Sequence, residues 1–216
     1  MLCLVTDRHQ AVGSMSTDDV EPLLRLIGDA SRAGVDLVQI REPDLADRSL
    51  EALVRRAVEL TRDTKTRVVV NDRVDVALAA GAAGVHLKAS SMSAARVRSL
   101  VPRSWLVGRS VHDVAEAVTV TASRSLDYLM AGTVFKTRSK PGRIPIGPES
   151  LEAMARAVEV PILAIGGVTV RNARRVGQTG AAGLAAISEF VDSGDRMDVV
   201  IEELRSEFDK GRSSLL

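Results

Sequence analysis

The sequence predicts a single α/β domain over residues 1–216, folded as a closed barrel of eight parallel strands alternating with helices, the (β/α)8 or TIM barrel. Eight short runs rich in Val, Ile and Leu recur along the chain. Most are continuously apolar rather than alternating, which is typical of strands buried on both faces of a parallel sheet. Segments of helical period separate them, as in βαβ units. Eight such units favour closure over an open doubly wound sheet.

The predicted elements follow one another in a regular order. Strands are predicted at residues 2–6, 36–41, 67–71, 84–87, 105–110, 127–132, 161–167 and 183–188. Apolar residues with the helical spacing i, i+3, i+4 and i+7 predict helices in residues 20–27, 50–57 and 197–208. Because the left-handed residue that often ends a helix is usually glycine, helix ends are predicted at the Ala-Gly pairs 33–34, 80–81, 83–84 and 182–183.

The overall charge is close to balanced. Lys and Arg number 29, Asp and Glu number 28, and the net charge is +1. This balance offers no broad electrostatic surface for nucleic acid or a membrane, so we expect neither as a partner. No window reaches the roughly 18 apolar residues of a membrane span. The single cysteine, Cys3, is expected to be a buried reduced thiol in a cytoplasmic protein, and the sequence leaves the oligomeric state open, including a homo-oligomer.

The ends of the predicted strands carry most of the candidate chemistry. In a barrel of this type the active site lies at the C-terminal ends of the strands. The residues that end or follow the eight runs are mostly polar: Thr6, Asp7, Gln39, Arg41, Asn71, Asp72, His86, Ser110, His112, Gly132, Thr133, Gly166, Gly167, Ile187 and Ser188. We therefore expect one polar mouth at this end of the barrel.

Two glycines and a serine suggest a phosphate site. Gly166 and Gly167 follow the seventh predicted strand, and Ser188 follows the eighth. Barrels often bind phosphate there, with backbone N–H groups and a helix N-terminus facing the anion. The alternative is that the glycines only permit a tight turn between strand and helix.

The segment 135–148 is the longest stretch without apolar periodicity. It carries Lys136, Arg138, Lys140 and Arg143 among prolines and glycines. A long basic loop above the catalytic face could close over an anionic substrate. The alternative is a solvated loop whose charges have no function.

Three other strand-end residues have specific chemistry. Arg41 needs an anionic partner, which could be a substrate, Glu42 or Asp72. Asp72 could hold Mg²⁺, although no second acidic residue ends a neighbouring strand. His112 is the candidate for proton transfer, with a structural role as the alternative, whereas His86 lies in an apolar run and is expected to be a hydrogen-bonded core residue.

Read together, these motifs resemble the thiamine phosphate synthase superfamily over nearly the whole chain. The matching pieces are LVTDR (4–8), QIRE (39–42), VNDR (70–73), GAAGVHL (81–87), GRSVH (108–112), AGTVFKTRSKPG (131–142), AIGGV (164–168) and GAAGLAAIS (180–188). The resemblance implies a TIM barrel with a thiazole phosphate held by Gly167, Ile187 and Ser188. It also implies His112, Arg41 and Lys140 as catalytic residues, and further substrate contacts from Gln39, Asn71, Ser110, Thr137 and Ser139.

The superfamily has two main branches, and the chain departs from one of them at two positions. Synthases join an aminopyrimidine diphosphate to a thiazole phosphate, with Mg²⁺ held by two aspartates. Thiazole tautomerases of the TenI type lack that metal site and aromatise a carboxythiazole phosphate. The synthase motif Gln-x-Arg-x-Lys has Pro43 at its lysine position here, and the motif Gly-Gln-x-Asp has Ser91 at its aspartate.

These departures favour a thiazole tautomerase that needs no cofactor. Departure of pyrophosphate requires cations that neutralise the developing charge, and two supports for it are missing. Two alternatives stay open. One is a synthase that uses Mg²⁺ at Asp72, and the other is a protein that binds a phosphorylated thiazole without turnover.

Overall fold

The computed structural model describes residues 1–12, 20–139 and 141–215, and it confirms the predicted barrel. Eight parallel strands pair in sequence order, and the last pairs with the first, so the sheet is closed. Each predicted strand is present, with ends that differ by at most two residues. The strands are β1 (Leu2–Val5), β2 (Leu37–Ile40), β3 (Arg67–Asn71), β4 (Gly84–Leu87), β5 (Leu106–Val111), β6 (Tyr128–Gly132), β7 (Ile162–Ile165) and β8 (Gly183–Ala186).

Helices surround this barrel and connect its strands. They are α1 (Arg8–Val12), α2 (Glu21–Arg32), α3 (Asp47–Thr61), α4 (Val74–Ala79), α5 (Ala94–Arg98), α6 (Val114–Thr121), α7 (Gly147–Ala157), α8 (Val170–Gly177), α9 (Ser188–Val191) and α10 (Met197–Ser213), with a 3₁₀ turn at Gly194–Arg196. The three segments of predicted helical period lie in α2, α3 and α10, apart from Val20, which immediately precedes α2. Within the described ranges, none of the helices has the length and apolar content needed to cross a bilayer.

Side chains that alternate along the strands fill the inside of the barrel. They form a cluster of Cys3, Val5, Leu37, Val69, Tyr128, Met130, Leu163 and Ala185. The other apolar side chains of the strands pack against the helices in a second, larger cluster. The prediction that Cys3 is buried is confirmed, and burial raises the pKa of its thiol, which therefore stays protonated.

His86 is a core residue, as expected, and is 1% exposed. Its Nδ1 lies 3.1 Å from the Tyr128 hydroxyl, and its Nε2 lies 2.9 Å from the Ser110 hydroxyl. Desolvation by burial, aided by the positive charge of Arg109, lowers the pKa of His86 to about 3. His86 is therefore neutral at physiological pH and is a structural hydrogen-bonding group.

Two of the four predicted helix ends are confirmed at glycine. Gly34 and Gly81 follow α2 and α4 with positive φ values of 96° and 72°. The interpretation of Gly84 and Gly183 as helix ends is wrong, because both are the first residues of strands. A Cβ at either position would lie 2.1 Å from a backbone oxygen of the neighbouring chain segment. These glycines are required by close strand packing rather than by a helix cap.

Two glycines also bring α10 close to α8, the helix that follows the β7 turn. A Cβ on Gly211 of α10 would lie 2.1 Å from the Arg174 backbone oxygen, and a Cβ on Gly177 would lie 2.1 Å from the Phe208 oxygen. The two backbones therefore approach more closely than any side chain would allow. This contact fixes α8 against the C-terminal helix.

We predict that Gly211→Ala destabilises the fold by about 1–3 kcal/mol, because the added methyl group must push two helix backbones apart. The matched control is Gly28→Ala in α2, where a Cβ meets only the flexible Arg32 side chain at 3.3 Å. That variant should gain about 0.5–1 kcal/mol from helix propensity. Urea unfolding measures both, and equal effects at the two positions would contradict the packing argument.

A second prediction concerns the pH dependence of stability. Unfolded His86 takes up a proton near pH 6.5, whereas folded His86 does so only near pH 3. Between these values the unfolded state binds more protons, so the free energy of unfolding falls as the pH falls, by about 1.4 kcal/mol per pH unit from this group. Urea unfolding at pH 7, 6 and 5 should show a weaker dependence in His86→Gln than in the parent. Identical slopes would contradict it.

Candidate functional site

The strands β2 to β5 bring one group of predicted residues to the barrel mouth. Gln39 is 2% exposed, and its Nε2 donates to Oδ1 of the half-buried Asn71 at 3.1 Å. The other amide atom of Gln39, Oε1, is buried and has no hydrogen-bond partner in the described part of the chain. A buried acceptor without a donor is costly, so this oxygen is positioned to receive a ligand.

Arg41 has neither of the protein partners considered for it. Glu42 instead pairs with Arg8, through a 3.3 Å ion pair that is almost fully buried. Asp72 pairs with Lys88. Arg41 is half-buried, and its guanidinium forms no ion pair among the residues that the structure describes. It is therefore available to an anionic ligand.

Asp72 lies in a compact network with the turn that follows β4. One carboxylate oxygen accepts a hydrogen bond from the Ser91 hydroxyl, and the other lies 2.5 Å from Lys88 Nζ. Ser91 Oγ also accepts from the Lys88 backbone N–H at 2.8 Å. Below the turn, the buried Arg109 donates to the backbone oxygens of Ala89 at 2.6 Å and of Met92 at 3.2 Å.

This network keeps Asp72 ionised. Partial burial alone would raise its pKa, but hydrogen bonds from Lys88 and Ser91, with the positive charge of Arg109, outweigh burial and leave the pKa below its ordinary value. Asp72 also has a φ of 65°, in the left-handed region. Its N–H donates to the His86 backbone oxygen at 2.8 Å, which helps hold this uncommon conformation.

The residues around Asp72 do not fit a divalent cation. Both oxygens of its carboxylate are already used, one by a hydroxyl donor and one by an ammonium group. Across residues 1–12, 20–139 and 141–215, no three His, Cys, Asp or Glu side chains are grouped so that they could hold a metal ion. Mg²⁺ prefers several oxygen ligands that are free to coordinate it.

His112 follows β5 and is oriented by a residue that the sequence analysis did not single out. Its Nδ1 lies 3.0 Å from Glu116 Oε2, and its backbone N–H donates to the same oxygen at 2.8 Å. Glu116 is in the first turn of α6, four residues later. A carboxylate on Nδ1 favours the tautomer that carries its proton there, which leaves Nε2 free to accept a proton. The geometry suits proton transfer by His112.

The strands β6 to β8 form the other half of the mouth, around a cavity of about 230 Å³. Five of the predicted ligand-binding residues line this cavity: Thr137, Ser139, Gly167, Ile187 and Ser188. They come from the loops after β6, β7 and β8. The structure therefore brings together Gly167, Ile187 and Ser188, as the strand-end argument requires, with Thr137 and Ser139, which the family resemblance implied.

The glycines of the β7 turn are required by conformation and by packing. Gly166 and Gly167 have φ values of 97° and 64°, and a Cβ on Gly167 would lie 2.2 Å from the Lys136 oxygen. The tight-turn explanation is thus correct in itself. It does not exclude a ligand, because the backbone N–H groups of Gly167 and Val168 have no hydrogen-bond partner within the described ranges.

Other expected donors at this end are already engaged. The Ser188 hydroxyl donates to Gln10 Oε1 at 2.8 Å, and Gln10 Nε2 donates to Ser139 Oγ at 3.1 Å. At the start of α8, the Val170 N–H donates to Glu189 Oε1 at 2.8 Å. A phosphate here would therefore meet the turn amides rather than the first turn of α8.

The basic loop between β6 and α7 is anchored at both ends. The Val134 N–H donates to the Ile165 oxygen at 2.9 Å, and the Ile146 N–H donates to the Thr133 oxygen at 2.8 Å. Arg138 pairs with Asp192, beyond β8. Lys140, expected as a catalytic residue, lies outside the described residues.

A family model described as thiamine monophosphate synthase matches residues 2–190 of the chain. The chain belongs to this family. The putative thiamine-phosphate synthase of Geobacter sulfurreducens is 39% identical over 195 residues, which are 90% of this chain and 88% of that protein. The thiamine-phosphate synthase of Methanoculleus marisnigri is 40% identical over 195 residues, which are 90% of this chain and 89% of that one.

A solved structure gives the same result. Thiamine phosphate pyrophosphorylase from Pyrococcus furiosus superposes with a TM-score of 0.82 at 31% identity, and covers 97% of this chain and 96% of that one. Membership of the thiamine monophosphate synthase family is consistent with small phosphorylated substrates and places the chain in thiamine biosynthesis. The finer prediction of a tautomerase finds no support in these names, which favour the synthase alternative.

Several site residues of this family member were not found from the sequence. Lys88 could have been found, since it directly follows the predicted strand 84–87. Glu116 could have been found, since it lies four residues after His112 at the start of a helix. Gln10 and Arg109 gave no signal, because their partners are distant in sequence.

We predict that Gly167→Ala weakens binding of inorganic phosphate at least about tenfold, because a methyl group at this turn must displace the Lys136 backbone that lines the cavity. Gly34→Ala is the matched control, since Gly34 also has positive φ but a Cβ there meets nothing within 4 Å. Both variants should lose stability. Isothermal titration calorimetry measures the affinity, and equal phosphate affinities would argue against this cavity as the anion site.

Proposed function

We propose that the protein is a thiamine-phosphate synthase, a transferase that couples an aminopyrimidine diphosphate to a thiazole phosphate and releases pyrophosphate. This was the second interpretation of the sequence. The names of relatives that are 39% and 40% identical over 90% of the chain support it. The geometry adds an argument that distinguishes the two reactions.

The observation that carries the proposal is the Gln39 side-chain oxygen, which has no hydrogen-bond partner among the residues that the structure describes. Oε1 is buried in the barrel beside Asn71 and needs a hydrogen-bond donor. The amino group of an aminopyrimidine is such a donor. A carboxythiazole phosphate presents its carboxylate and phosphate, which are acceptors and would repel the Gln39 oxygen. The site thus suits the substrate of the synthase better than that of the tautomerase.

The two halves of the mouth suit the two substrates. Near Gln39, Arg41, which forms no ion pair with any described residue, can bind the diphosphate, because a guanidinium holds phosphate oxygens in a bidentate geometry. Across the mouth, the cavity suits the phosphate of the thiazole, since the Gly167 and Val168 amides that face it donate to no described residue. In this arrangement the phosphate of the thiazole is anchored away from the ring nitrogen that reacts. The diphosphate is bonded to the carbon that reacts and is held as the leaving group, so binding energy fixes the orientation of both substrates.

The test is an assay for thiamine phosphate with both substrates, in the parent protein and in Gln39→Met. Methionine has a similar volume but cannot accept the amino hydrogen bond. We expect kcat/KM for the aminopyrimidine diphosphate to fall about ten- to hundredfold, as for loss of a hydrogen bond of about 1–3 kcal/mol. The KM for the thiazole phosphate should change little and serves as the internal control.

The assay of the parent protein decides whether the synthase proposal is correct. No thiamine phosphate from the parent, with or without Mg²⁺, would refute the synthase. Inertness toward both substrates, with retained binding of the thiazole phosphate, would instead favour a binding protein.

A thiazole tautomerase is the second candidate, and the His112–Glu116 pair favours it. Glu116 holds Nδ1, which leaves Nε2 of His112 able to move a proton between ring and exocyclic carbon. The residues Pro43 and Ser91 also lie where synthases of the family have a lysine and an aspartate. Incubation with the carboxythiazole tautomer tests this candidate, and isomerisation without thiamine phosphate formation would establish it over the synthase.

A further inference from the structure

We propose that Lys88 binds the diphosphate directly and takes the place of the divalent cation, so that this protein holds pyrophosphate without metal. The inference deepens the proposed synthase function and rests on it. It starts from the disagreement between the synthase pattern, with Mg²⁺ on two aspartates, and the residues around Asp72. The structure places an ammonium group where that pattern leads one to expect a metal ion.

The position of Lys88 follows from the barrel. His86 points into the barrel interior, where it meets Tyr128 and Ser110. Lys88 is two residues later, directly beyond the end of β4. Its ammonium reaches back to Asp72, at the end of β3, with Nζ 2.5 Å from Oδ2. The charge therefore lies at the C-terminal mouth, in the same half as Gln39 and Asn71.

The charges balance in the same way as in a metal site. Two carboxylates and one Mg²⁺ sum to zero, and so do one carboxylate, Asp72, and one ammonium, Lys88. Ser91, at the position of the second aspartate, contributes a neutral hydroxyl that donates to Asp72. The Asp72–Lys88 pair is therefore as neutral as two carboxylates with one Mg²⁺. A diphosphate that approaches from solvent meets the cation of this pair first, because the cation is on the exposed side.

Lys88 also has the donors and the access that this role requires. An ammonium group has three N–H donors, and the bond to Asp72 uses one. The Lys88 side chain is 53% exposed, whereas the Asp72 side chain is 28% exposed, so the cation is the more accessible partner. Two donors remain for phosphate oxygens. Arg41, to which the described part of the chain offers no ion pair, adds a second cation in this half of the mouth.

The turn that carries Lys88 is fastened in place. Ser91 Oγ accepts from the Lys88 N–H, and the Ser91 N–H donates to the Lys88 oxygen at 3.1 Å. Arg109, which is 9% exposed, holds the same turn from below through the Ala89 and Met92 oxygens. A cation on a fixed turn loses less freedom on binding than one on a mobile loop. This arrangement distinguishes Lys88 from an ordinary exposed ion pair.

The test measures binding of inorganic pyrophosphate by calorimetry in the presence of EDTA. We expect the parent protein to bind under these conditions and Lys88→Gln to bind at least about tenfold more weakly, because a charge-assisted contact is lost. Lys88→Arg should bind within a few-fold of the parent. Lys65→Gln, at an exposed lysine just before β3 on the opposite end of the barrel, should match the parent.

A second measurement follows Mn²⁺ binding by electron paramagnetic resonance, without pyrophosphate. The parent protein should show no stoichiometric Mn²⁺ binding. The double variant Lys88→Gly with Ser91→Asp, which restores the glycine and the aspartate of the synthase motif, should gain one bound Mn²⁺. Stoichiometric Mn²⁺ binding by the parent protein would overturn the proposal. So would pyrophosphate binding that requires a metal ion and is unchanged in Lys88→Gln.

The outcomes separate this inference from the proposed function. If pyrophosphate binds in EDTA through Lys88 but no thiamine phosphate forms, the synthase assignment fails while Lys88 remains an anion-binding residue. If thiamine phosphate forms only with Mg²⁺ and Lys88→Gln is fully active, the synthase stands and the role of Lys88 is refuted.

Discussion

Closure of the eight-stranded sheet is the constraint on which the rest of the structure depends. Because the strands are parallel, all eight end at the same mouth, and because side chains alternate, every second residue faces the interior. Gln39, Asn71 and Ser110 are therefore neighbours of the core layer that contains Val69 and Tyr128. The polar layer rests directly on the apolar one, which excludes water from below. Gln39 Oε1 lies at this boundary without a hydrogen-bond partner among the described residues. Because it is buried there, a ligand must supply the missing donor.

The loops at the mouth are held by buried arginines rather than by regular structure. Arg8 joins the β1 loop to Glu42 after β2, and Glu42 also accepts a 2.6 Å hydrogen bond from the Thr6 hydroxyl. Burial raises the pKa of Glu42 despite these donors. Arg109 holds the turn after β4 through hydrogen bonds to the Ala89 and Met92 backbone oxygens. Since these two arginines are used inside the protein, Arg41 remains the cation of this half whose charge the described residues leave unpaired.

The fold could be predicted from the sequence because strands buried on both faces are continuously apolar, and this signal does not depend on distant residues. The same signal predicted that Gln39, Asn71 and Gly167 lie at the mouth, since each is at the end of a strand and all the parallel strands end there. Partners could not be predicted in the same way. Glu42 and Asp72 were both possible partners of Arg41, and each proved to be paired with a cation from another loop. Such choices depend on loop geometry, which the pattern of apolar residues does not contain.

Two of the residues that depart from the synthase motif after β4, Lys88 and Ser91, form one consistent unit. An aspartate at position 91 would place a second carboxylate against Asp72, and like charges so close require a strong cation between them. Serine removes that repulsion and donates a hydrogen bond instead, and lysine at position 88 then neutralises the single remaining carboxylate. Either change alone would leave the charge unbalanced. Serine at position 91 without lysine at position 88 would leave Asp72 unpaired, and lysine at position 88 with aspartate at position 91 would add positive charge beside a metal ion. A neutral site without a metal ion therefore requires both residues on electrostatic grounds. Arg109 beneath the turn adds to this effect, because its positive charge favours the ionised form of Asp72.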